Sequence, residues 1–317
     1  MIKKDLYLSV VSPVYLAEDI LDELVTKLKD VLVTITNDFE IILVDDGSDD
    51  NSWQKIIGHC EIDSRIKGVK LSRNFGQHYA ITAGLKQSEG NYVIVIDCDL
   101  QENPKYIKDL LNKKEEGFDI VLSRTLKKKQ NFIKNFGYLA YNRLFNILID
   151  NQDYKIDNRY CTLSLLSKKA VDAFLQIKDH HRHYILILIW LGFSKAIIFV
   201  EHEPRQNGIS SYSFNKLFHH AINGIVSHSD KLLWYSVYAG FSLSLVSFFS
   251  IFYIVVKSIY SGFLPGWASI VSLIIFSTGL ILISLGIVGL YIGKIFDQTK
   301  QRPLYIIDKL KNFSNVE

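Results

Sequence analysis

The longest apolar runs of the chain lie in its C-terminal third. Leu232 to Val256 has 25 residues without a charged side chain, and Ser258 to Gly293 has another 36. A helix needs about 20 apolar residues to cross the hydrocarbon core of a bilayer. The first run therefore predicts a membrane helix near 232–256. The second predicts a loop around Leu264-Pro265-Gly266 and a helix near 267–293, which together would form a hairpin.

An apolar stripe with helical spacing precedes the first run. It consists of Phe214, Leu217, Phe218, Ala221, Ile222, Ile225 and Val226. Because the stripe leads into an expected membrane span, it favours an amphipathic helix over 213–231 at the membrane surface rather than a core helix. The stretch from Ile133 to Ile149, which follows Lys127-Lys128-Lys129, leaves both interpretations open.

Before these segments, β-branched runs alternate with helical patterns. Strands are predicted at Leu6–Val14, Glu40–Val44, Gly68–Leu71 and Tyr92–Ile96, and helices at Glu18–Val33, Trp53–Cys60 and His78–Gln87. Such alternation predicts an α/β fold with a mostly parallel sheet. We also interpret the apolar run Tyr184–Leu191 as a strand, and His180, His181 and His183 before it as a solvated loop.

Charge and composition restrict the classes of function. The chain has 317 residues, of which 48% are hydrophobic, and a net charge of +3. These values exclude a disordered chain and give no reason to expect a nucleic acid partner. Lysines and arginines occur in the expected basic tail, 294–317, and are frequent in the large N-terminal part, whereas the connection between the spans has only Lys257. This asymmetry predicts that both termini lie in the cytoplasm.

Polar motifs occur where the predicted strands end. They are Ser12-Pro13-Val14-Tyr15, Asp45-Asp46-Gly47-Ser48, Ser72-Arg73-Asn74-Phe75-Gly76 and Asp97-Cys98-Asp99. Ligands of parallel sheets bind at the C-terminal ends of the strands. We therefore expect one site built from four strand ends.

The acidic motifs suggest the chemistry of that site. Asp97 and Asp99 are two residues apart, so on an extended chain both carboxylates can approach one cation, and Gln101 can add an amide oxygen. Oxygen ligands suit Mg²⁺ or Mn²⁺. Turn and cap chemistry accounts for Gly47 and Ser52 but not for Asp45 and Asp46, two carboxylates directly after a buried strand, for which we expect hydrogen bonds to a base or ribose.

In combination these motifs resemble glycosyltransferase family 2, whose members have a GT-A fold that binds nucleotide sugars. Similarity to its polyprenyl-phosphate branch rests on Arg205-x-x-Gly208-x-Ser210-Ser211-Tyr212, the helix hairpin, and Gly289-Leu-Tyr-Ile-Gly-Lys294 followed by Arg302-Pro-Leu-Tyr305. Leu16 departs from the family, which often has Asn there, and so does the segment Cys161–Lys168.

The resemblance implies a role for each matching residue. Donor-binding residues would be Pro13, Tyr15, Glu18, Asp45, Asp46, Arg73, Asn74 and His78. The ligands of Mg²⁺ or Mn²⁺ would be Asp97, Asp99 and Gln101. The acceptor phosphate would be bound by Arg124, Arg205, Ser210 and Tyr212, and the catalytic residues would be Asp99, Arg124 and Arg205.

The implied activity is transfer of a sugar, with inversion, from a UDP- or GDP-linked donor to a polyprenyl phosphate such as undecaprenyl phosphate. Residues 1–212 would form the cytoplasmic catalytic domain of a bacterial inner-membrane protein, and relatives are often homo-oligomers. One alternative is transfer to a hydroxyl of a lipid-linked oligosaccharide, with a base near Asp153 or Asp157. Another is a non-catalytic nucleotide-sugar sensor, which the presence of both Asp97 and Asp99 disfavours.

Overall fold

The computed structural model describes residues 6–126, 159–180, 182–201, 231–261 and 266–313. These residues divide into two compact units. An α/β unit contains the described residues up to 201 together with 302–313, and a helical unit contains 231–261 and 266–301.

The described part of the α/β unit contains one mixed sheet of eight strands. They are β1 Leu8–Val14, β2 Phe39–Asp45, β3 Ile66–Leu71, β4 Tyr92–Val95, β5 Ile120–Thr125, β6 Tyr160–Ser167, β7 Lys195–Val200 and β8 Ile307–Lys311. Their order is β7-β5-β6-β4-β1-β2-β3-β8. Neighbours among β1 to β4 are parallel, β7 is parallel to β5, and β6 and β8 are antiparallel to their neighbours. The first four strands confirm the sequence prediction.

Helices cover both faces of the sheet. They are α1 Leu21–Leu32, α2 Ser52–Ile62, α3 Gln77–Gln87, α4 Ile107–Glu115, α5 Lys168–Gln176 and α6 Tyr184–Trp190. Apolar side chains of α1, α2 and α4 pack on one face, and those of α3, α5 and α6 pack on the other. The first three helices confirm the predicted ones, so the helix and strand periodicities identified the elements that frame the site.

The prediction of a strand over Tyr184–Leu191 is wrong, because Tyr184–Trp190 is helix α6. Continuous apolar runs occur in buried helices as well as in buried strands, so their pattern does not distinguish the two. Nor do the preceding histidines form a fully solvated loop, since the ring of His183 lies 4.7 Å from that of His78.

A buried polar network aligns the ends of the strands that lie opposite the expected site. Glu40 of β2 accepts hydrogen bonds from the Ser9 hydroxyl at 2.5 Å and the Glu89 amide at 2.8 Å. Its other carboxylate oxygen lies 2.7 Å from Nζ of Lys67 in β3. The Ser9 hydroxyl in turn accepts from the Gly90 amide at 2.8 Å. Because a buried carboxylate is costly unless it is paired, this network stabilises the register of β1, β2 and β3.

The tail differs from the expected basic segment, because its residues 307–311 form β8 at the edge of the sheet next to β3. Its apolar residues Tyr305, Ile307 and Phe313 pack against the core. The Asn312 amide donates to the carbonyl oxygens of Cys60, at 2.6 Å, and Ile66, at 2.9 Å. These contacts explain why a segment rich in lysine is nevertheless ordered as a strand.

The helical unit contains two long helices, α7 Lys231–Ser261 and α8 Trp267–Thr299, which contact each other. Both include the residues predicted to be helical, and both are longer than predicted. Among the described residues, the segment Phe276–Thr299 is long and apolar enough to cross a membrane, with a mean hydropathy of 2.1. Residues 213–230 of the predicted surface helix, 213–231, and the stretch 133–149 lie outside the described residues.

We expect Asn312→Ala to lower the melting temperature of the detergent-solubilised protein. The change leaves two carbonyl oxygens without their amide donor, and it places Ala at a backbone φ of +64°, which Asn tolerates better. The expected decrease in the free energy of unfolding is about 1–3 kcal/mol. Asn312→Gly removes the same hydrogen bonds without the backbone strain and should be less destabilising. Unchanged melting of both variants would contradict the role assigned to the tail.

Candidate functional site

The parallel strands bring the polar motifs to one edge of the sheet, as predicted. Val14 lies opposite Asp45 in the register of β1 and β2, and Val11 lies opposite Val95 of β4. The segments that follow these strands therefore leave the sheet on the same side. Asp97 lies between β4 and a turn that contains Asp99, so the two carboxylates do not both lie on extended chain.

Asp46 fixes the loop that follows β3. Its two carboxylate oxygens accept hydrogen bonds from the Phe75 and Gly76 amides, each at 2.8 Å. Gly47 has a φ of +68°, and a Cβ there would lie 2.4 Å from the carbonyl carbon of Arg73. The glycine thus permits both the turn and the close approach of the two loops. Burial raises the pKa of Asp46 to about 6 despite the two amide donors.

Asp45 is fully buried at the end of β2. One carboxylate oxygen accepts from the Ser48 amide at 3.1 Å, whereas the other has no hydrogen-bond partner. Burial raises the pKa of this carboxyl, although hydrogen bonds from Ser48 oppose the shift. A buried acceptor without a donor is costly, so a ligand N–H or O–H at this position would be bound favourably.

The segment after β1 forms a second wall of the site. Pro13 is buried in the strand, whereas the side chain of Tyr15 is 45% exposed and so accessible to a ligand. Leu16 has a φ of +49°, and its amide donates to the Ser48 hydroxyl at 3.1 Å. Asn tolerates this left-handed conformation better than Leu, which explains why Asn is common at this position in the family that the chain resembles.

Glu18, a predicted donor-binding residue, takes part in the packing of these loops. Its carboxylate accepts from the backbone amide and the side-chain amide of Asn51, both at 2.9 Å. Asn51 directly precedes α2, so Glu18 ties the entrance of α1 to that of α2.

The carboxylate of Asp97 is held by two side chains from other elements. One oxygen accepts from the Gln77 amide at 2.6 Å, and the other accepts from the Thr162 hydroxyl at 2.8 Å. Asp99 accepts from the Gln101 backbone amide at 3.1 Å. Sequence reasoning did not identify Gln77 or Thr162, because the contacts join residues 20 and 65 positions apart.

Glu102 is a third carboxyl group near Asp97 and Asp99, and sequence reasoning also missed it. It is buried, and it accepts from the Leu163 amide of β6 at 2.8 Å. Burial, together with the charge of Asp97, raises its pKa well above the usual range. Its position three residues after Asp99 was a signal that could have identified it.

The remaining donor-binding candidates differ in accessibility. Arg73 and Asn74 are exposed, and the Arg73 guanidinium lies 4.2 Å from the centre of the Phe75 ring. His78 is half-buried, and its Nδ1 accepts from the Tyr184 amide at 3.4 Å. These contacts give His78 a packing role between α3 and α6.

Of the predicted acceptor-phosphate residues, the structure describes Arg124. It lies near the end of β5, half-buried, and opposite Phe199 in the register of β5 and β7. Arg205, Ser210 and Tyr212 lie outside the described residues, as do the alternative bases Asp153 and Asp157.

No cluster of three His, Cys, Asp or Glu side chains able to hold a metal occurs in the described part of the chain. A cation at Asp97 and Asp99 would therefore need further oxygen ligands. Gln101, water and a bound phosphate group are chemically suited to complete such a set.

Comparison with known proteins identifies relatives along almost the whole chain. The model of Glycosyl transferase family 2 matches residues 9–175. An uncharacterized glycosyltransferase of Synechocystis sp. is 34% identical over 305 residues, which cover 96% of this chain and 95% of the relative. The undecaprenyl-phosphate 4-deoxy-4-formamido-L-arabinose transferase of Shewanella sediminis is 30% identical over 311 residues, which cover 96% of this chain and 92% of that relative.

Solved structures show the same architecture. Mannosyl-3-phosphoglycerate synthase from Rubrobacter xylanophilus has a TM-score of 0.50 at 17% identity, over 70% of this chain and 73% of that one. This likeness concerns the fold alone, and it confirms the expected GT-A-like α/β architecture.

The contact between the rings of His78 and His183 predicts that the stability of the protein depends on pH. Burial, with His183 and Arg182 nearby, lowers the pKa of His78 to about 3. The unfolded chain therefore binds a proton near pH 6.5 that the folded protein does not bind, and stability falls as pH decreases from about 6.5 towards 3. His78→Asn retains an acceptor for the Tyr184 amide, and its melting temperature should fall less steeply over this range. If the melting temperatures of the variant and the wild type fell equally steeply with decreasing pH, His78 would not be the group responsible.

Proposed function

The chain belongs to glycosyltransferase family 2, and from this membership we propose that it transfers a sugar from a nucleotide sugar to a polyprenyl phosphate. The observation that carries the proposal is the strand-end site, where Asp45, Asp46, Asp97 and Asp99 occupy one edge of the sheet. A relative named as an undecaprenyl-phosphate sugar transferase matches 96% of the chain, which supports a lipid phosphate acceptor.

The donor would bind with its base between the ends of β1 and β2. The buried oxygen of Asp45 that has no partner can accept from a ring N–H, which both uracil and guanine possess. The exposed ring of Tyr15 can stack on the base. Arg73 and Asn74, exposed on the loop that Asp46 holds, can reach the ribose or the phosphates.

The residues after β4 fit a hard divalent cation, because they offer carboxylate and amide oxygens. Asp97, Asp99 and Gln101 would hold Mg²⁺ or Mn²⁺, and the bound ion would act as a Lewis acid that neutralises charge on the departing diphosphate. Gln77 and Thr162 restrain Asp97 through both of its oxygens. This restraint fixes the carboxylate before the donor arrives and reduces the reorganisation that binding requires.

The acceptor step needs positioning more than proton transfer. A phosphate monoester is anionic at neutral pH, so its oxygen can attack the sugar carbon without a general base. Arg124, near the end of β5, would bind the acceptor phosphate together with Arg205, Ser210 and Tyr212, and offset its repulsion from the donor diphosphate. Direct displacement inverts the configuration at the sugar carbon.

The helical unit would anchor the enzyme in the bacterial inner membrane. Helix α7 has no charged residue between Lys231 and Lys257, and the segment Phe276–Thr299 of α8 has a mean hydropathy of 2.1. Both helices exceed the length needed to cross a bilayer, at ~1.5 Å of rise per residue. We therefore propose a hairpin of two spans with both termini and the site in the cytoplasm, in agreement with the basic tail.

We expect Asp99→Asn to abolish sugar transfer while the protein still folds. The change removes the carboxylate charge that the cation requires but keeps an acceptor for the Gln101 amide. Asp109→Asn, on the exposed face of α4, is the matched control and should keep full activity. Binding of Mn²⁺ to each protein, followed by electron paramagnetic resonance, provides a readout besides activity. An active Asp99→Asn enzyme would refute the assignment of Asp99 to the metal.

Dependence on a lipid phosphate tests the proposed reaction as a whole. Purified protein in detergent is incubated with labelled nucleotide sugars and Mg²⁺ or Mn²⁺, with and without undecaprenyl phosphate. Label should enter the organic phase only when the lipid phosphate is present, and the active donor then identifies the sugar. Donor binding without any labelled lipid would favour an oligosaccharide acceptor or a sensor instead.

A further inference from the structure

The outer strand of the sheet, β7, keeps apolar side chains exposed on one of its two faces. Ile198 and Val200 point to the other face and are buried in the core. In contrast, the side chains of Ile197 and Phe199 are 37% and 56% exposed. Alternation along a strand places these two on the same face. The helix layer on that face therefore leaves an apolar surface accessible at the edge of the sheet.

Helix α6 ends beside the start of this strand. The helix ends at Trp190, whose side chain is 61% exposed. Nζ of Lys195 donates to the Ile189 carbonyl oxygen at 2.7 Å, which fixes the end of the helix beside the start of β7. We refer to Ile197 and Phe199 as the apolar strip.

The strip runs towards the predicted phosphate ligand Arg124. In the parallel register of β5 and β7, Ile197 lies opposite Leu122 and Phe199 lies opposite Arg124. Opposed residues of parallel strands point to the same face. Arg124 and Phe199 are therefore neighbours on this face, near the ends of strands where the site lies. A cationic side chain thus adjoins an apolar surface that leads away from the site.

We propose that the apolar strip binds the isoprenoid chain of the acceptor, next to the phosphate that Arg124 contacts. The inference rests on the proposed function and extends it by naming where the lipid chain lies. An isoprenyl phosphate is an anion joined to a branched hydrocarbon, and the arrangement of Arg124, Phe199 and Ile197 is complementary to both parts. Exposed apolar surface of this kind costs no stability when a hydrocarbon ligand covers it, and it is typical of a binding surface.

Acceptors of different chain length test the proposal. The double variant Ile197→Ser, Phe199→Ser is compared with wild type on dimethylallyl phosphate, which has one isoprene unit, and on farnesyl phosphate, which has three. We expect KM for farnesyl phosphate to rise about ten-fold, because burial of an apolar side chain against the chain is lost. KM for dimethylallyl phosphate and KM for the nucleotide sugar should change little.

Two further proteins separate a binding role from a structural one. The single variant Phe199→Leu keeps an apolar side chain, so its KM for farnesyl phosphate should stay close to that of the wild type. Ile62→Ser is the matched control, because Ile62 is 82% exposed at the end of α2, away from β7, and should leave both KM values unchanged.

The outcomes distinguish failure of the inference from failure of the proposed function. If KM rose equally for both acceptors, or did not rise for farnesyl phosphate, the role of the strip would be overturned while the proposed reaction remained intact. A change in oligomeric state by light scattering, without a change in chain-length preference, would identify the strip as a contact between copies. A wild-type enzyme that uses no isoprenyl phosphate would refute the proposed acceptor itself.

Discussion

The hydrogen bonds that the Phe75 and Gly76 amides donate to Asp46 determine the shape of the candidate site. They offset the cost of burying the carboxylate, and they hold the loop after β3 against the end of β2. Helix α3 begins directly after Gly76, so the same contacts position Gln77 and, through it, Asp97. One buried carboxylate therefore links the loop proposed to bind the donor to the residues proposed to bind the cation.

The site concentrates carboxylates where a fold selected for stability alone would not. Burial raises the pKa of Asp46, and the neighbouring charge of Asp45 adds to the shift. Burial likewise raises the pKa of Glu102, with the charge of Asp97 contributing. Clusters of perturbed groups in one place are characteristic of functional sites. The proposed cation and the N–H groups of a nucleotide would relieve this accumulation of negative charge, so the electrostatic cost of the carboxylates would favour such ligands.

The sequence predicted the elements whose pattern is local and failed where contacts are distant. The four central strands and three helices followed from periodicity, and the strand-end motifs converge as the parallel topology requires. Helix α6 was mistaken for a strand because its run is apolar throughout. The contacts of Thr162 with Asp97 and of Asn312 with Cys60 and Ile66 join distant segments, and no local pattern encodes them. The left-handed backbone at Leu16 was equally invisible, since Leu rarely adopts it.

The order of strands in the sheet suggests how one domain can serve a soluble donor and a lipid acceptor. The central strands β1, β2 and β4 are covered by helices on both faces, and their polar ends suit a nucleotide. The outer strand β7 is covered on one face, where Ile198 and Val200 are buried, and it keeps Ile197 and Phe199 accessible on the other. A hydrocarbon chain needs apolar area rather than precise polar contacts, and an exposed strand face at the edge of the sheet supplies such area without opening the core. Arg124 lies on β5 next to that edge, so the proposed acceptor phosphate would lie near the proposed donor site while its chain remained outside it.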